Sequence, residues 1–191
     1  KYLAATSIST SVMSLIIWSF AFLRMGTVGI VSQLYARSDY REISKTLLRN
    51  LLIAFIISVI IILFKSKILH YTRFFFPTSV ETYELMKTYI SVRIFSIPAE
   101  FIIYILIGFF LGIQKTQISS LIVIVLSLIN ICFSSILVLS YNLNILGVAL
   151  GTLIANYLTA IIFLAFTYNF IVKKFQIAPN LQKIIVTSKI I

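Results

Sequence analysis

The sequence predicts an all-α, polytopic membrane protein with five membrane-spanning helices. Of its 191 residues, 60% are hydrophobic and only 11% are charged, and the mean hydropathy is +1.07. A soluble domain usually contains about 25% charged residues. The apolar residues are gathered into long runs, and a helix needs about 20 of them to cross a bilayer. The lipid bilayer is therefore an expected partner of this chain.

The first two spanning helices are separated by a basic segment. One long helix is predicted over residues 3–35, and a polar loop is predicted over residues 37–49. Within that loop, Asp39-x-x-Glu42 predicts a helix start, because a side-chain oxygen there can accept hydrogen bonds from free backbone N–H groups. The second spanning helix is predicted over residues 47–64.

The third spanning helix, predicted over residues 88–113, has the most informative sequence. It contains Arg93 and Glu100, which are seven positions apart and therefore lie on roughly the same helical face, with Pro98 between them. Two opposite charges in hydrocarbon cost several kcal/mol unless they face the protein interior or water. The segment is therefore predicted to line a cavity, which is a first indication of transport.

Two features flank those charges. Residues 65–87 are predicted as a loop, from which a short interfacial helix starting at Thr78-x-x-Glu81 leads into the third span. Near the end of the span, Gly108 and Gly112 form a G-x-x-x-G pattern, which predicts a close helix–helix contact.

Residues 116–172 contain no charged side chain over 57 positions. At about 1.5 Å per residue, one helix of that length would cross the bilayer more than twice. The polar cluster at residues 140–144 is the predicted turn, which gives spanning helices over residues 117–139 and 145–172.

Basic residues are distributed unequally between alternate loops. One set contains Arg37, Arg41, Lys45, Arg49, Lys115, Lys173, Lys174, Lys183 and Lys189, and the other contains Lys1, Lys65, Lys67, Arg73 and Lys87. The positive-inside rule places the larger set in the cytoplasm. The first residue then lies outside, so an odd number of upstream spans is expected if the natural N-terminus is cytoplasmic. The net charge of +11 forms no basic stripe with interleaved aromatics, so nucleic acid is not an expected partner.

No catalytic constellation is found, so an enzyme is not expected. The one histidine, His70, lies in a predicted loop without Cys or acidic residues at metal-ligand spacing. The chain has no Walker A, G-x-S-x-G or H-E-x-x-H motif. We therefore expect no metal site and no cofactor beyond a coupling ion.

A small set of polar and charged residues inside the spans provides the candidate substrate or ion cavity. These residues are Glu100, Asn130, Ser134, Arg93, Arg24 and Asn156. Their Asn and Ser side chains are equally explained by interhelical hydrogen bonds, each worth about 1 kcal/mol. Arg93 and Glu100 have three open interpretations: a structural ion pair, an Arg that snorkels to the surface beside a lone Glu, or a protonatable Glu in a central cavity.

Three stretches of the chain resemble one transporter family. FLRMGTVGIVSQLYARSD, YISVRIFSIPAEFIIYILIGFFLGIQKTQ and INICFSSILVLSYNLNILGVALGTLIANY are similar to the second, fourth, and fifth-to-sixth helices of the multidrug and toxic compound extrusion (MATE) transporters, in their DinF-like branch. The resemblance implies helices two to six of a twelve-helix protein with two pseudo-symmetric lobes. Residues 1–175 would then form most of the N-terminal six-helix lobe, and residues 176–191 would begin the inter-lobe linker.

The same resemblance implies a function. Relatives of this type export organic, often cationic, compounds in exchange for H⁺ or Na⁺, here from a bacterial-type cytoplasmic (inner) membrane. The implied partners are a small organic substrate and the missing remainder of the chain, namely the first helix and the C-terminal lobe. Two alternatives remain: a lipid-linked oligosaccharide flippase of the same superfamily, for which Arg24 and Arg93 would line the cavity, and a degenerate relic that no longer transports.

The chain also departs from the pattern that it resembles. Ser134 stands where the fifth helix usually has Asp, and Asn156 stands where the branch often has Glu. Glu100 is an additional carboxylate at a position expected to be small and apolar. Ala36 and Ser38 replace a usual pair of glycines after the second helix.

Overall fold

The computed structural model describes residues 2–175, and within this range the regular structure is entirely helical. The helices are α1 (Tyr2–Ser19), α2 (Phe22–Ala36), α3 (Tyr40–Leu63), α4 (Lys65–Phe75), α5 (Val80–Arg93), α6 (Ile97–Gly112), α7 (Thr116–Ser135) and α8 (Asn144–Phe175). A short 3₁₀ turn, Ile94–Ser96, joins α5 to α6, and a π-helical turn, Ile136–Ser140, follows α7. The predicted linker over residues 176–191 lies outside the described residues.

Five helical segments are long and apolar enough to cross a membrane. They are Tyr2–Ala36, Tyr40–Leu63, Val80–Gly112, Thr116–Ser140 and Asn144–Lys173. The prediction of an all-α protein with five spanning helices is therefore confirmed. The length of each apolar run made this prediction possible, because the thickness of the bilayer sets a minimum length for any helix that crosses it.

The first span, predicted over residues 3–35, is confirmed as the helical segment Tyr2–Ala36, but a turn that the sequence did not predict divides it into α1 and α2. At Phe20 and Ala21 the backbone N–H groups bond to carbonyls three residues earlier, at 3.1 and 3.0 Å, which tightens the turn between α1 and α2. The Ser19 hydroxyl donates to the Leu15 carbonyl at 2.8 Å, and such back-bonding often bends a helix.

The predicted loop over residues 37–49 was also wrong, although the helix start inside it is confirmed. Asp39 caps α3, and its Oδ1 accepts the Glu42 N–H at 3.2 Å. Lys45 then pairs with Glu42 at 2.6 Å, one turn along the helix. A charged segment can be fully helical when it lies outside the hydrocarbon, since its side chains stay hydrated, and hydropathy therefore does not mark where the helix begins.

The predicted loop over residues 65–87 was wrong for the same reason. It contains the whole of α4 and the first half of α5. Ser79 rather than Thr78 caps α5, and its Oγ accepts the Thr82 N–H at 3.4 Å. The expected interfacial helix leading into the third span is thus the first part of α5, which continues through the 3₁₀ turn into α6.

The core of the bundle is α6, which contacts α2, α3, α7 and α8. Gly108 and Gly112 face α2 so closely that an added Cβ would lie 2.7 Å from the Arg24 carbonyl oxygen and 2.7 Å from Val31 Cγ1, respectively. The predicted close helix–helix contact is therefore confirmed, and it lies between α6 and α2.

The polar turn predicted at residues 140–144 is confirmed. Ser140 ends the π-helical turn and α8 begins at Asn144. Asn142 and Asn144 adopt φ values of 53° and 46°, in the left-handed region that Asn tolerates better than most residues. The turn reverses the chain, so that α7 and α8 pack side by side.

Candidate functional site

The junction between α5 and α6 brings two opposite charges together. Arg93 ends α5, and Glu100 lies in the first turn of α6. Pro98 also lies in that first turn, where its missing N–H removes no helical hydrogen bond. Arg93 forms an ion pair with Oε1 of Glu100, and a second guanidinium nitrogen donates to Oγ of Ser96. The two charged side chains are only 12% and 10% exposed, respectively.

Asn156 of α8 completes this group, which we call the charge cluster (Arg93, Glu100 and Asn156). Its Nδ2 donates to Glu100 Oε1 at 3.0 Å and to the Thr152 carbonyl at 2.9 Å. Glu100 Oε1 therefore accepts from two donors. Glu100 Oε2 and Asn156 Oδ1 are buried with no hydrogen-bond partner in the described part of the chain. A buried acceptor without a donor costs about 1–3 kcal/mol, so these two oxygens are suited to bind a donor or a proton.

A cavity of about 400 Å³ adjoins the charge cluster on the side of α7 and α8. Besides the cluster, it is lined by Leu126, Ser127, Asn130, Ile131 and Thr152. The Asn130 side chain therefore faces the same space as Glu100 and Asn156. This cavity is large enough for a hydrated ion or part of a small organic molecule.

A second cavity, of about 240 Å³, lies on the side of α1. It is lined by Ser14, Ile17, Trp18, Ile103, Tyr104 and Leu126 together with the charge cluster. The cluster is thus a wall shared by both cavities. A change in the charge or geometry of the cluster would therefore affect both cavities.

Ser134 lies elsewhere, although it is only four residues from Asn130. A Cβ added to Gly151 of α8 would lie 2.7 Å from Ser134 Cα, so the two helices touch at this point. The Ser134 hydroxyl oxygen is buried against α8 without a hydrogen-bond partner among the described residues. The structure therefore places Ser134 in a helix–helix contact beyond the cavity wall.

Arg24 approaches the second cavity indirectly. Its guanidinium carbon lies 5.7 Å from the centre of the Tyr104 ring, at a distance suited to a cation–π interaction. Tyr104 is one turn after Glu100 on α6, so it links Arg24 to the wall that contains the charge cluster. Of the six candidate residues, the structure brings Arg93, Glu100, Asn156 and Asn130 together, with Arg24 beside them and Ser134 apart.

Further residues of the site were not among the six sequence candidates, and they include Ser96, Tyr104, Thr152 and Trp18. Thr152 and Tyr104 lie four residues from Asn156 and Glu100 in the helices that carry them, so helical spacing could have identified both. Ser96 and Trp18 had no comparable signal, because their positions depend on the 3₁₀ turn and on how α1 packs.

No metal centre is formed by the described residues. Within residues 2–175, no three His, Cys, Asp or Glu side chains are grouped closely enough to hold a metal ion. His70 is exposed on α4, and Cys132 is exposed on α7.

Comparison with known proteins identifies sequence relatives. The sequence model of a protein family described as MatE matches residues 1–136. The DNA damage-inducible protein F of Escherichia coli (strain K12) is 28% identical over 161 residues, which are 84% of this chain and 35% of that protein.

Solved structures show the same fold. An inward-facing multidrug resistance MATE family transporter of the MOP superfamily matches with a TM-score of 0.80 and 21% identity, over 87% of this chain and 38% of the other. An outward-facing conformation matches with a TM-score of 0.78 and 21% identity, over 84% of this chain and 36% of the other. The chain thus spans little more than a third of the length of the relatives that it matches.

Proposed function

The chain belongs to the MatE family, the multidrug and toxic compound extrusion transporters, and from this premise we propose that it supplies five spanning helices of a secondary antiporter. The antiporter exports organic, often cationic, compounds in exchange for H⁺ or Na⁺. The chain is an integral membrane protein, and it contributes most of the N-terminal lobe to the complete transporter. The small organic substrate would be held between this lobe and the rest of the protein.

The observation that carries the proposal is the charge cluster between the two cavities. An antiporter needs a group whose charge changes during transport and whose two states favour different conformations. Glu100 meets the first requirement because a carboxylate can gain or lose a proton. It meets the second because its charge attracts Arg93, so that protonation would weaken the ion pair and free a buried guanidinium.

The unpaired oxygens of the charge cluster give the proposal a chemical basis. Glu100 Oε2 and Asn156 Oδ1 could accept a proton, a coupling cation or an N–H group of a cationic substrate. Asn130 and Thr152 offer further oxygens in the wall of the larger cavity. If the proton and the substrate compete for these oxygens, one binds only when the other has left. Their movements across the membrane would then be coupled in opposite directions.

The proposal is tested by Glu100→Gln in the natural full-length protein. The substitution keeps the size and one oxygen acceptor of the side chain but removes its charge. In vesicles with an imposed pH gradient, export of a fluorescent organic cation should fall to the background of protein-free vesicles. The matched control is Glu84→Gln, which removes an exposed carboxylate that pairs with Lys87 and lines neither of the two cavities beside the charge cluster.

A second variant separates coupling from folding. Glu100→Gln alone leaves Arg93 buried without its counter-charge, and such a loss can cost about 3–5 kcal/mol of stability. The double variant Arg93→Gln with Glu100→Gln removes both charges, so it should insert and fold like the wild type but still fail to export. If either variant exports at the wild-type rate, Glu100 carries no coupling and the ion pair is structural.

The flippase alternative rests on Arg24 and Arg93. Recognition of an anionic lipid-linked sugar requires cationic side chains that are free to bind it. The charge of Arg93 is offset by Glu100, and Arg24 lies against Tyr104, so this geometry favours the antiporter. A wild-type protein that moves no substrate under any ion gradient would instead support the degenerate relic.

A further inference from the structure

A surface of α4 takes no part in the proposed transport site. Tyr71, Phe74 and Phe75 are 57%, 74% and 69% exposed, respectively. Lys67 precedes Tyr71 by four residues and Phe74 by seven, so these side chains share one side of the helix. We call this surface the aromatic–basic face (Lys67, Tyr71, Phe74 and Phe75). So much aromatic surface in contact with water would be unfavourable, which indicates an apolar environment or partner.

The position of α4 limits what that environment can be. The helix follows α3 directly and leads into α5, and both neighbours belong to spanning segments. Its opposite side is attached to the bundle: Thr72 is 4% exposed, the Tyr83 hydroxyl donates to the Leu69 carbonyl at 3.5 Å, and Arg73 lies 5.1 Å from the Tyr83 ring centre. The helix is thus fixed at the end of the spans, with its aromatic–basic face turned outward.

The charged side chains of α4 itself are all of one sign. Residues 43–80 contain no Asp or Glu, whereas α4 contains Lys65, Lys67 and Arg73. The Lys65 ammonium lies 5.4 Å from the Phe95 ring centre, and that of Lys67 lies 5.5 Å from the Phe64 ring centre. Aromatic rings beside flexible cations are typical of a helix at the membrane interface, where the rings enter the boundary with the acyl chains and the cations stay at the phosphates.

We propose that α4 lies in the membrane interface and binds the headgroup of an anionic phospholipid. Lys67 of the aromatic–basic face contacts the lipid phosphate, together with the flexible side chain of Lys65 two residues earlier, while Tyr71, Phe74 and Phe75 pack among the upper acyl chains. The cavity of about 240 Å³ between α4 and α5 is a poorer phosphate site, because Glu84 lines it together with Arg73. Charge complementarity therefore favours lipid binding at the outward face of α4 rather than in this cavity. It also favours an anionic lipid over a zwitterionic one.

The lipid preference is tested by native mass spectrometry of the full-length protein, after exchange into mixed phosphatidylglycerol and phosphatidylcholine. The wild type should retain phosphatidylglycerol in preference to phosphatidylcholine. The double variant Lys65→Gln with Lys67→Gln should lose about fivefold in this preference for each charge removed. The charge-preserving variant Lys65→Arg with Lys67→Arg should behave like the wild type. The matched neutral control, Arg37→Gln with Arg41→Gln at the other end of α3, should also leave the preference at α4 unchanged.

Photo-crosslinking distinguishes lipid from protein as the occupant. A benzophenone amino acid introduced in place of Phe74 should yield adducts with phosphatidylglycerol upon irradiation in the membrane. Adducts with another part of the chain or with a second copy would show that protein covers this face, and the proposal would be wrong. Equal retention of the two lipids by the wild type, or an unchanged preference in the Lys65→Gln and Lys67→Gln variant, would overturn it as well.

Discussion

Replacing Gly108 by alanine should weaken the contact between α6 and α2. The added Cβ would lie 2.7 Å from the Arg24 carbonyl oxygen and 2.9 Å from Thr27 Cβ. Neither neighbour can easily move away. The oxygen belongs to the helix backbone, and Thr27 is held by its hydroxyl, which donates to the Leu23 carbonyl at 2.6 Å. The two helices must therefore separate slightly along the line on which they are packed most closely.

The magnitude follows from two opposing effects. Overpacking of a tight contact costs about 1–3 kcal/mol, whereas alanine is favoured over glycine within a helix by about 1 kcal/mol. We expect Gly108→Ala to lower the free energy of unfolding by about 0–2 kcal/mol. Gly26 and Gly29 of α2 provide matched controls, because no atom of the described residues, apart from the neighbouring backbone of α2, lies within 4 Å of a Cβ added to either. Alanine at these positions should be neutral or stabilising.

Comparing Gly108→Ala with these two controls separates the effect of the close contact on stability from the effect of helix propensity. The full-length protein would be purified in mild detergent and unfolded reversibly by titration with sodium dodecyl sulfate, with helix content followed by circular dichroism. Gly108→Ala should unfold more easily than both controls by about 1–3 kcal/mol, which is the overpacking cost alone. If its free energy of unfolding equals that of Gly26→Ala, the close approach of α6 and α2 is not present in the membrane protein.

Two further predictions concern the start of α3 and the orientation of the loops. Asp39→Ala should lower the free energy of unfolding by about 1 kcal/mol in the same titration, because it removes the acceptor for the Glu42 N–H. Asp39→Asn keeps an acceptor and should be nearly neutral. An equal loss of stability in both variants would contradict the helix cap. Cysteines introduced at Ser38 and Val80, in a chain lacking Cys132, should react with impermeant maleimides from opposite sides of the membrane. Labelling of both from one side would contradict the arrangement of spans.

Hydropathy identified the five spans because the bilayer imposes a length on every apolar helix. The same criterion does not report helical structure outside the hydrocarbon. It therefore missed α4 and the start of α3 at Tyr40, where charged side chains remain hydrated. It also missed the break at Phe20 and Ala21, where the side chains are apolar and the change lies in the hydrogen bonding of the backbone.

Spacing along one helix was a good guide to the candidate site, but spacing could not relate one helix to another. The seven-residue interval between Arg93 and Glu100 placed both on one face, as the structure shows. The addition of Asn156 depends on how α8 is rotated against α6, which no local pattern determines. Asn130 and Ser134 illustrate the same limit: Asn130 lines the cavity, whereas Ser134, four residues later, packs against Gly151 of α8.

The contact between Glu100 and Asn156 connects two positions at which the sequence departs from the transporters that it resembles. Taken one position at a time, the resemblance implies an acid missing at Asn156 and an additional one at Glu100. In space the two side chains meet, with Asn156 Nδ2 3.0 Å from Glu100 Oε1. The carboxylate that α6 supplies therefore lies beside both α8 and Arg93. A carboxylate in this place is bound to α5 by an ion pair and to α8 by a hydrogen bond, so any movement between these helices must change its partners. That dependence is what coupling through Glu100 requires.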